Sequence, residues 1–138
     1  MELGLESPLV SLLAAGASVP LGTRGLVHVW GRNGMATTQR LGIGWTVTDP
    51  NGQIAEEYGT WEAWPYTGAG DEHEFIGDRF DIDKAGDWMI VIELRMNIDS
   101  PVVVDSYVGL LCRVEGYAGT ITRKELEYDS VRGAIPVS

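Results

Sequence analysis

The chain has 138 residues, of which 44% are hydrophobic and 22% charged, and its formal net charge is −10. This length and composition favour one globular domain with a core of ordinary size. An acidic surface repels phosphate backbones, so the charge argues against nucleic-acid binding. The eighteen glycines and six prolines indicate many turns, as in an all-β chain of short strands.

Cys112 is the only cysteine, so no disulfide can form within the chain. It lies in an alternating apolar run, and we expect a buried small hydrophobe rather than a reactive thiol. No apolar run approaches the roughly 20 residues that span a bilayer, so we expect no membrane insertion. The apolar stretch 9–15 follows Glu2 and Glu6 with no basic charge, which is the reverse of a secretory signal. The sequence does not indicate a cellular compartment.

Residues 1–20 are compatible with two interpretations. Ser7, Pro8 and the following Leu/Ala run up to Gly16 fit a short helix with an N-cap, a first-turn proline and a C-terminal glycine. Residues 8–14 equally fit a first edge strand. We favour an N-terminal arm over 1–20 that is ordered by packing on something else.

The middle of the chain alternates between apolar and polar side chains in short runs separated by turn sequences. The predicted strands cover residues 24–30, 39–48, 53–60, 72–82 with an interruption at Gly77, 87–96 and 102–114. Asp49-Pro50-Asn51-Gly52 predicts a tight turn that joins the second and third of these as a hairpin. Strands at intervals of roughly 10 residues predict an immunoglobulin-like antiparallel β-sandwich of about seven to eight strands over 21–116.

Residues 80–94 are predicted to form the central hairpin of this sandwich. Phe80 and Ile82 lie in its incoming strand, and Asp83-Lys84-Ala85-Gly86 forms the turn. The outgoing strand is apolar on one face throughout and on both faces in its middle, which is typical of a strand interior to a sheet. Its inward face is expected to consist of Trp88, Ile90, Ile92 and Leu94.

The character of the sequence changes after Gly116. Residues 119–129 alternate as a charged strand, and an irregular tail follows that contains Ile135 and Val137. These apolar residues exceed what one sandwich needs. We therefore expect residues 117–138 to form a C-terminal strand and tail that is exchanged between subunits.

Three sequence features resemble the CARDB-like modules among the immunoglobulin-like sandwiches of bacteria and their phages. They are the strand ending Val-Trp-Gly-Arg-Asn-Gly at 29–34, the hairpin Trp-Thr-Val-Thr-Asp-Pro-Asn-Gly at 45–52, and the Gly-Asp-Trp at 86–88. The resemblance covers Leu21 to Val114 and leaves out the N-terminal arm and the C-terminal tail. It implies adhesion, spacing or assembly without an active site, by analogy of fold.

Two acidic segments could suggest a metal site. Residues 81–87 begin like a calcium loop, but Ala85 and Ile92 stand where the loop needs ligands, so an acidic turn is the better interpretation. The acidic run 71–78 contains His73, but alternate strand residues face opposite sides, so its ligands do not converge of necessity. A solvated face explains the run, and we expect no metal or cofactor.

The ingredients of catalysis are sparse. The chain has two histidines, His28 and His73, and no Gly-x-Ser-x-Gly elbow. Paired carboxylates such as Glu56/Glu57 or Glu62/Glu72 could serve glycoside hydrolysis, but nothing in the sequence fixes their separation. We expect a protein that is not an enzyme.

The segment Trp61–Tyr66 is the sharper functional signal. Trp61, Trp64 and Tyr66 lie within six residues and could form a stacking platform for a partner's side chains or for a sugar. The alternative is that the tryptophans cap one end of the sandwich. The sequence does not decide between the two.

The function predicted from the sequence is structural. We expect a non-catalytic subunit that associates with itself or with other structural proteins, as in a virion, filament or shell. Its contact residues are predicted to be Trp61, Trp64 and Tyr66 in the aromatic segment and Ile135 and Val137 in the tail, because exposed apolar arms fray unless something holds them. The alternative is a carbohydrate-binding module that uses the three aromatics.

Overall fold

The computed structural model describes residues 2–6 and 12–130, and the side chains of residues 15–130. This part of the chain forms ten strands and no helix, so the predicted all-β fold is confirmed. The strands are β1 (Glu2–Glu6), β2 (Leu12–Ala14), β3 (Ser18–Pro20), β4 (Thr23–Arg32), β5 (Gly42–Thr48), β6 (Ile54–Trp61), β7 (Glu72–Ile76), β8 (Phe80–Ile82), β9 (Gly86–Met96) and β10 (Val102–Glu115).

The strands make two sheets that face each other as a sandwich. The first has the order β2-β1-β4-β7, with β8 also beside β4, and the second has the order β3-β10-β9-β5-β6. All described pairs are antiparallel except β3 with β10, which is parallel. β9 lies at the centre of the second sheet, between β10 and β5, as its two apolar faces predicted.

The core lies between the inward faces of the two sheets. Trp88, Ile90 and Ile92, at alternate positions of β9, are each at most 1% exposed, and they form one cluster with the inward residues of β4 and β5. The alternation therefore results from one face of each strand being removed from water, which is the main source of stability in such a fold. The indole N–H of Trp88 is not lost in this apolar layer, because it donates to the carbonyl of Lys84 at 3.0 Å.

The predicted hairpin over 80–94 is wrong. β8 pairs with β4, with Ile82 opposite Thr23, whereas β9 pairs with β5 and β10 in the other sheet. The turn between β8 and β9 is therefore an arch that crosses the sandwich. Phe80 and Ile82 point into the core from one sheet and meet Trp88 from the other, with the Phe80 and Trp88 rings 6.0 Å apart. Burial of both strands is satisfied equally by an arch and by a hairpin, so alternation alone could not separate them.

The predicted interruption at Gly77 is confirmed, since β7 ends at Ile76 and β8 begins at Phe80. A Cβ atom on Gly77 would lie 2.7 Å from the ring of Trp45 and 2.9 Å from the carboxylate of Glu56. The amide of Gly77 still donates to the carbonyl of Val27 at 3.1 Å. The chain thus passes close beneath a buried aromatic ring at a position where a side chain would not fit.

The N-terminal residues belong to the sandwich. β1 and β2 extend the first sheet beyond β4, and β3 crosses to the second sheet to pair with Arg113–Glu115. Residues 12–14 are a strand, which excludes the helix interpretation there, and residues 7–11 lie outside the described residues. Residues 1–20 were predicted as an arm packed on something else, and the described strands within this range pair with each other and with strands of the same chain.

The C-terminal residues differ from the prediction. Residues 116–130 form no strand within the single chain, although their alternation predicted one over 119–129. They are exposed throughout. Ile135 and Val137 lie outside the described residues. No helix that could cross a bilayer occurs in the described part of the chain.

Candidate functional site

The aromatic segment after β6 is held in place by a buried carboxylate. Glu62 Oε1 accepts hydrogen bonds from the amides of Leu41 at 2.9 Å and Thr67 at 3.0 Å, and the Thr67 hydroxyl donates to the same carboxylate at 2.9 Å. His73 Nδ1 lies 3.3 Å from Glu62 Oε2. The sequence offered Glu62 as half of a catalytic pair, but its oxygens are occupied by bonds that close a loop.

Asn33 is a second buried anchor for the same loop. Its side-chain amide donates to the carbonyls of Thr37 and Thr67 at 2.9 Å, and its side-chain carbonyl accepts from the amide of Met35 at 2.8 Å. Its main chain exchanges bonds with Asp71 and Gly70. The end of β4 and the loop after β6 are therefore tied into one polar network without an unsatisfied buried side-chain atom among the described residues.

Trp61 packs on the outer face of β5, not over the end of the sandwich as a cap would. It is opposite Gly42 in the β5–β6 register, and a Cβ atom on Gly42 would lie 2.7 Å from its indole ring. The ring is half-buried because it lies flat on the glycine backbone. Trp61 therefore offers one edge to a ligand and uses its face for packing.

Trp64 and Tyr66 point outwards. Trp64 is 81% exposed, the largest apolar side chain presented by the loop, and a cis peptide joins it to Pro65. Tyr66 is 38% exposed, and the guanidinium of Arg40 lies 5.3 Å from its ring centroid. Arg40 is itself fixed by donating from Nε to the carbonyl of Glu62 at 2.8 Å. The structure thus separates the aromatic trio into one ring packed on the sheet and two exposed rings.

The outer face of the second sheet carries a shallow polar groove next to Trp61. Glycines from β5 and β6, Gly44 and Gly59, face each other in register and leave the floor without side chains. Arg95 lies across this floor and is paired with Glu93 at 2.6 Å. Glu57 contributes a further carboxylate to the rim. The alternation of the sequence showed the glycines, but it did not show that the arginine covers them.

Asp49 and Lys84 form an ion pair with a structural role. Asp49 accepts from Lys84 at 3.0 Å and from the amides of Asn51 and Gln53, which fixes the tight turn after β5 and ties it to the β8–β9 arch. Burial acts to raise the pKa of Asp49, but these hydrogen bonds, that of Lys84 first, outweigh it and lower the pKa overall. The same contact raises the pKa of Lys84.

Glu56 lies in the interior against Trp45. The indole N–H of Trp45 donates to Oε1 at 2.6 Å and the amide of Asp78 donates to Oε2 at 2.8 Å. Burial raises the pKa of Glu56 above its ordinary value in spite of both bonds. Its neighbour Glu57 faces the opposite side of the strand, so the two carboxylates do not flank one position as a glycosidase pair would.

No group of three or more His, Cys, Asp or Glu side chains converges as a metal site among the residues with described side chains. In the acidic run, His73 turns to Glu62, and Glu74 lies 3.2 Å from His28 Nδ1. Cys112 is fully buried, as predicted, and burial raises the pKa of its thiol to about 12. The thiol is therefore neutral and shielded.

The strand β10 presents a surface that the sequence did not indicate. Its first half is exposed on both faces, and it includes the apolar side chains Val102, Val103, Val104, Tyr107 and Val108. Sequence alternation predicts which side a residue takes, but it does not predict that neither side is covered. The sequence signal for this surface was the run of valines at successive positions, because a strand with one buried face normally alternates apolar and polar residues.

Comparison with known proteins gives the fold. No protein-family model matches the chain, and no curated protein matches it in sequence. Among solved structures, a Bacteroides uniformis beta-glucuronidase is similar with a TM-score of 0.58 at 12% identity, over 79% of this chain and 12% of that one. The C-terminal domain of wzt is similar with a TM-score of 0.51 at 13% identity, over 91% of this chain and 81% of that one. The chain thus spans about an eighth of the glucuronidase, and both likenesses concern the sandwich alone.

Proposed function

We propose that this protein is a non-catalytic structural subunit that associates with copies of itself through its C-terminal segment. The observation that carries the proposal is the state of residues 116–130. They leave the sandwich in no regular structure, with Tyr117, Ile121 and Leu126 each more than 80% exposed. Apolar side chains on an extended segment gain burial only when another surface covers them.

The chemistry of the sandwich supports a structural role. The buried carboxylates Glu56, Glu62 and Asp49 accept hydrogen bonds from the chain's own backbone and side chains, and their contribution is to hold loops. A general acid or base would instead face a cleft with a free lone pair or proton. Assembly of a virion, filament or shell from such a subunit uses the fold as a rigid body and its segments as connectors.

Sedimentation of the full chain and of a variant that lacks residues 119–138 tests the proposal. We expect the full chain to sediment as an oligomer at micromolar concentration and the shortened chain as a folded monomer. Shielding of Cys112 from a thiol reagent serves as the control for folding in both. Two well-folded monomers would refute the proposal.

A second candidate function is carbohydrate binding, and the exposure of Trp64 favours it. An indole in solvent, two residues before the Tyr66 ring that pairs with Arg40, can stack on a sugar ring. A glycan array tests this candidate. A hit should weaken by about thirtyfold, or about 2 kcal/mol, in Trp64→Ala and should be unchanged in Tyr117→Ala, a matched exposed aromatic. An array without a hit removes the candidate.

A further inference from the structure

One edge of β10 is open over the first half of the strand. β9 pairs with β10 from Val102 to Val114, whereas β3 pairs on the other side with Arg113–Glu115 only. Among the described strands, none lies against this second edge between 102 and 110. Since backbone groups of a strand point alternately to its two neighbours, those of Ser106, Val108 and Leu110 point to the open side.

Two of these backbone groups are covered by side chains of β10 itself. The amide of Ser106 donates to Asp105 Oδ1 at 2.9 Å, and the carbonyl of Leu110 accepts from the Tyr107 hydroxyl at 3.2 Å. Both bonds are exposed to solvent, so an arriving strand can replace them at little net cost. They confirm which groups face outwards.

The side chains along this edge are apolar. Val108 is 72% exposed, and the valines 102–104 are each about half exposed. Edge strands of monomeric proteins are normally protected by lysine, proline or inward charges. Between 102 and 110 the only charged residue is Asp105. This edge is therefore built more like an interface than like a protected rim.

A groove between the two sheets runs beside the same edge. Its volume is about 330 Å³. An added strand at the edge of β10 would place every second side chain over this groove, because side chains alternate between the faces of a sheet. The groove is lined by Arg32, Met35, Leu94, Met96, Val104 and Asp105, among others.

The segment after β10 has the length and side chains for this position. Residues 116–130 can extend over about 50 Å, and the open edge needs about 30 Å. Leu126 and Tyr128 have the same parity, so both would lie on one face of an added strand, and burial of apolar side chains favours turning this face to the groove. Lys124 shares that parity and would approach the carboxylate of Asp105, which lines the groove.

The donor has to be a second copy. Within one chain the segment leaves β10 at Glu115, and β3 already pairs with this end of the strand. The amide of Gly16 donates to the carbonyl of Leu111, and the amide of Arg113 donates to the carbonyl of Ala17. Residues before β3 therefore cover the edge of β10 as far as the start of its open part. To reach the edge of its own β10, the segment would have to reverse and pass over the residues that make these bonds.

We infer that residues 119–130 of one copy add as a strand to the open edge of β10 in another, over 102–110, with Leu126 and Tyr128 over the groove between its sheets. This inference rests on the proposed function and names the docking surface for it. The added strand satisfies the outward backbone groups of Val108 and its neighbours and covers the exposed valines.

Cross-linking between two differently labelled chains locates the contact. One chain carries Glu125→Cys, and the other carries Ser106→Cys on the open edge of β10. The matched control carries Glu57→Cys instead, on β6, the opposite edge of the same sheet. Native Cys112 can stay, because it is buried and its pKa is about 12. A short bismaleimide should join the first pair at least tenfold more efficiently than the control pair.

Val108→Pro tests the backbone pairing. Proline removes the amide that faces the open edge and leaves the bonds to β9 intact, so the fold should survive. We expect the dissociation constant of the oligomer to rise at least tenfold. Val108→Thr keeps the amide and the shape and should leave it within about twofold. Val108→Lys, a charge at an exposed position, provides a second disruption if the proline variant does not fold.

The outcomes separate the two proposals. If deletion of 119–138 abolishes the oligomer but Val108→Pro and Val108→Lys keep it and the β6 pair cross-links, the docking surface is refuted and the proposed function stands. If the full chain is a monomer, both are refuted. Loss of the oligomer in the deletion and in Val108→Pro, with cross-linking to β10, is the expected result.

Discussion

Glu62→Ala should destabilise the sandwich although Glu62 lies outside the apolar core. The substitution removes the acceptor of the Leu41 amide and of the Thr67 hydroxyl, and so deprives two buried donors of their bonds to Glu62. The Thr67 amide keeps its bond to the Gln39 carbonyl at 3.0 Å. Each unsatisfied buried donor costs about 1–3 kcal/mol, so we expect a total loss of about 2–6 kcal/mol. This is a large share of the roughly 5–15 kcal/mol by which a domain of this size is stable.

Urea unfolding followed by tryptophan fluorescence measures this loss. Glu62→Gln should recover most of it, because one carbonyl oxygen can still accept both amides while its NH₂ group faces the Thr67 hydroxyl. Glu57→Ala, at an exposed position on the strand before, should change stability by less than about 0.5 kcal/mol. A Glu62→Ala variant that loses less than about 1 kcal/mol, with an unchanged m-value, would refute the view that this carboxylate holds the loop.

Three further predictions concern single positions. Because the folded pKa of Asp49 lies below the ordinary value of 3.8, its pairing with Lys84 stabilises the protein above that pH and is lost as the pH falls through the folded pKa. Asp49→Asn should therefore lower Tm at pH 7, and the difference from the unmutated protein should shrink as the pH falls through the folded pKa, which Tm measured over an acid pH series checks. Cys112 should react with a thiol reagent at pH 8 only after unfolding, and immediate reaction of the native protein would contradict its burial. Gly77→Ala should cost about 1–3 kcal/mol in chemical denaturation, whereas Gly34→Ala, where a Cβ atom meets nothing within 4 Å, should cost far less; equal losses would exclude the close approach at Gly77 as the cause.

Local sequence signals were sufficient wherever the deciding contact is local. The turn after β5 follows from Asp49, whose carboxylate bonds the amides two and four residues later. The position of β9 in its sheet follows from apolar residues on both faces. These features need no knowledge of distant strands, because turn chemistry and burial impose them on the segment itself.

The errors arose where pairing is decided at long range. The three residues of β8 could pair with β9 across a turn or with β4 across the sandwich, and both arrangements bury Phe80. Similarly, the alternation over 119–129 predicted a strand, but a strand needs a neighbour, and none of the described strands pairs with those residues. The resemblance to CARDB-like modules concerns the sandwich and stays a prediction.

The residues of the candidate site could be predicted from the sequence, but the different placement of each side chain could not. The sequence identified Trp61, Trp64 and Tyr66 together, whereas the structure turns the first onto Gly42 and the second into solvent. The residue that separates them is Glu62, whose role depends on amides from Leu41 and Thr67 that no local pattern connects. Arg40, which lies over Tyr66, was missed for the same reason.

The distribution of polarity along β10 links the fold to the proposed assembly. The second half of the strand, which pairs with β3 at its end, carries Leu111, Cys112 and Val114 in the core at no more than 4% exposure, whereas the first half carries five exposed apolar residues. A monomer gains nothing from valines exposed on both faces of an edge strand and risks non-specific pairing. Their presence is explained if a strand from another copy pairs with the first half of β10, as β3 pairs with the end of the second half.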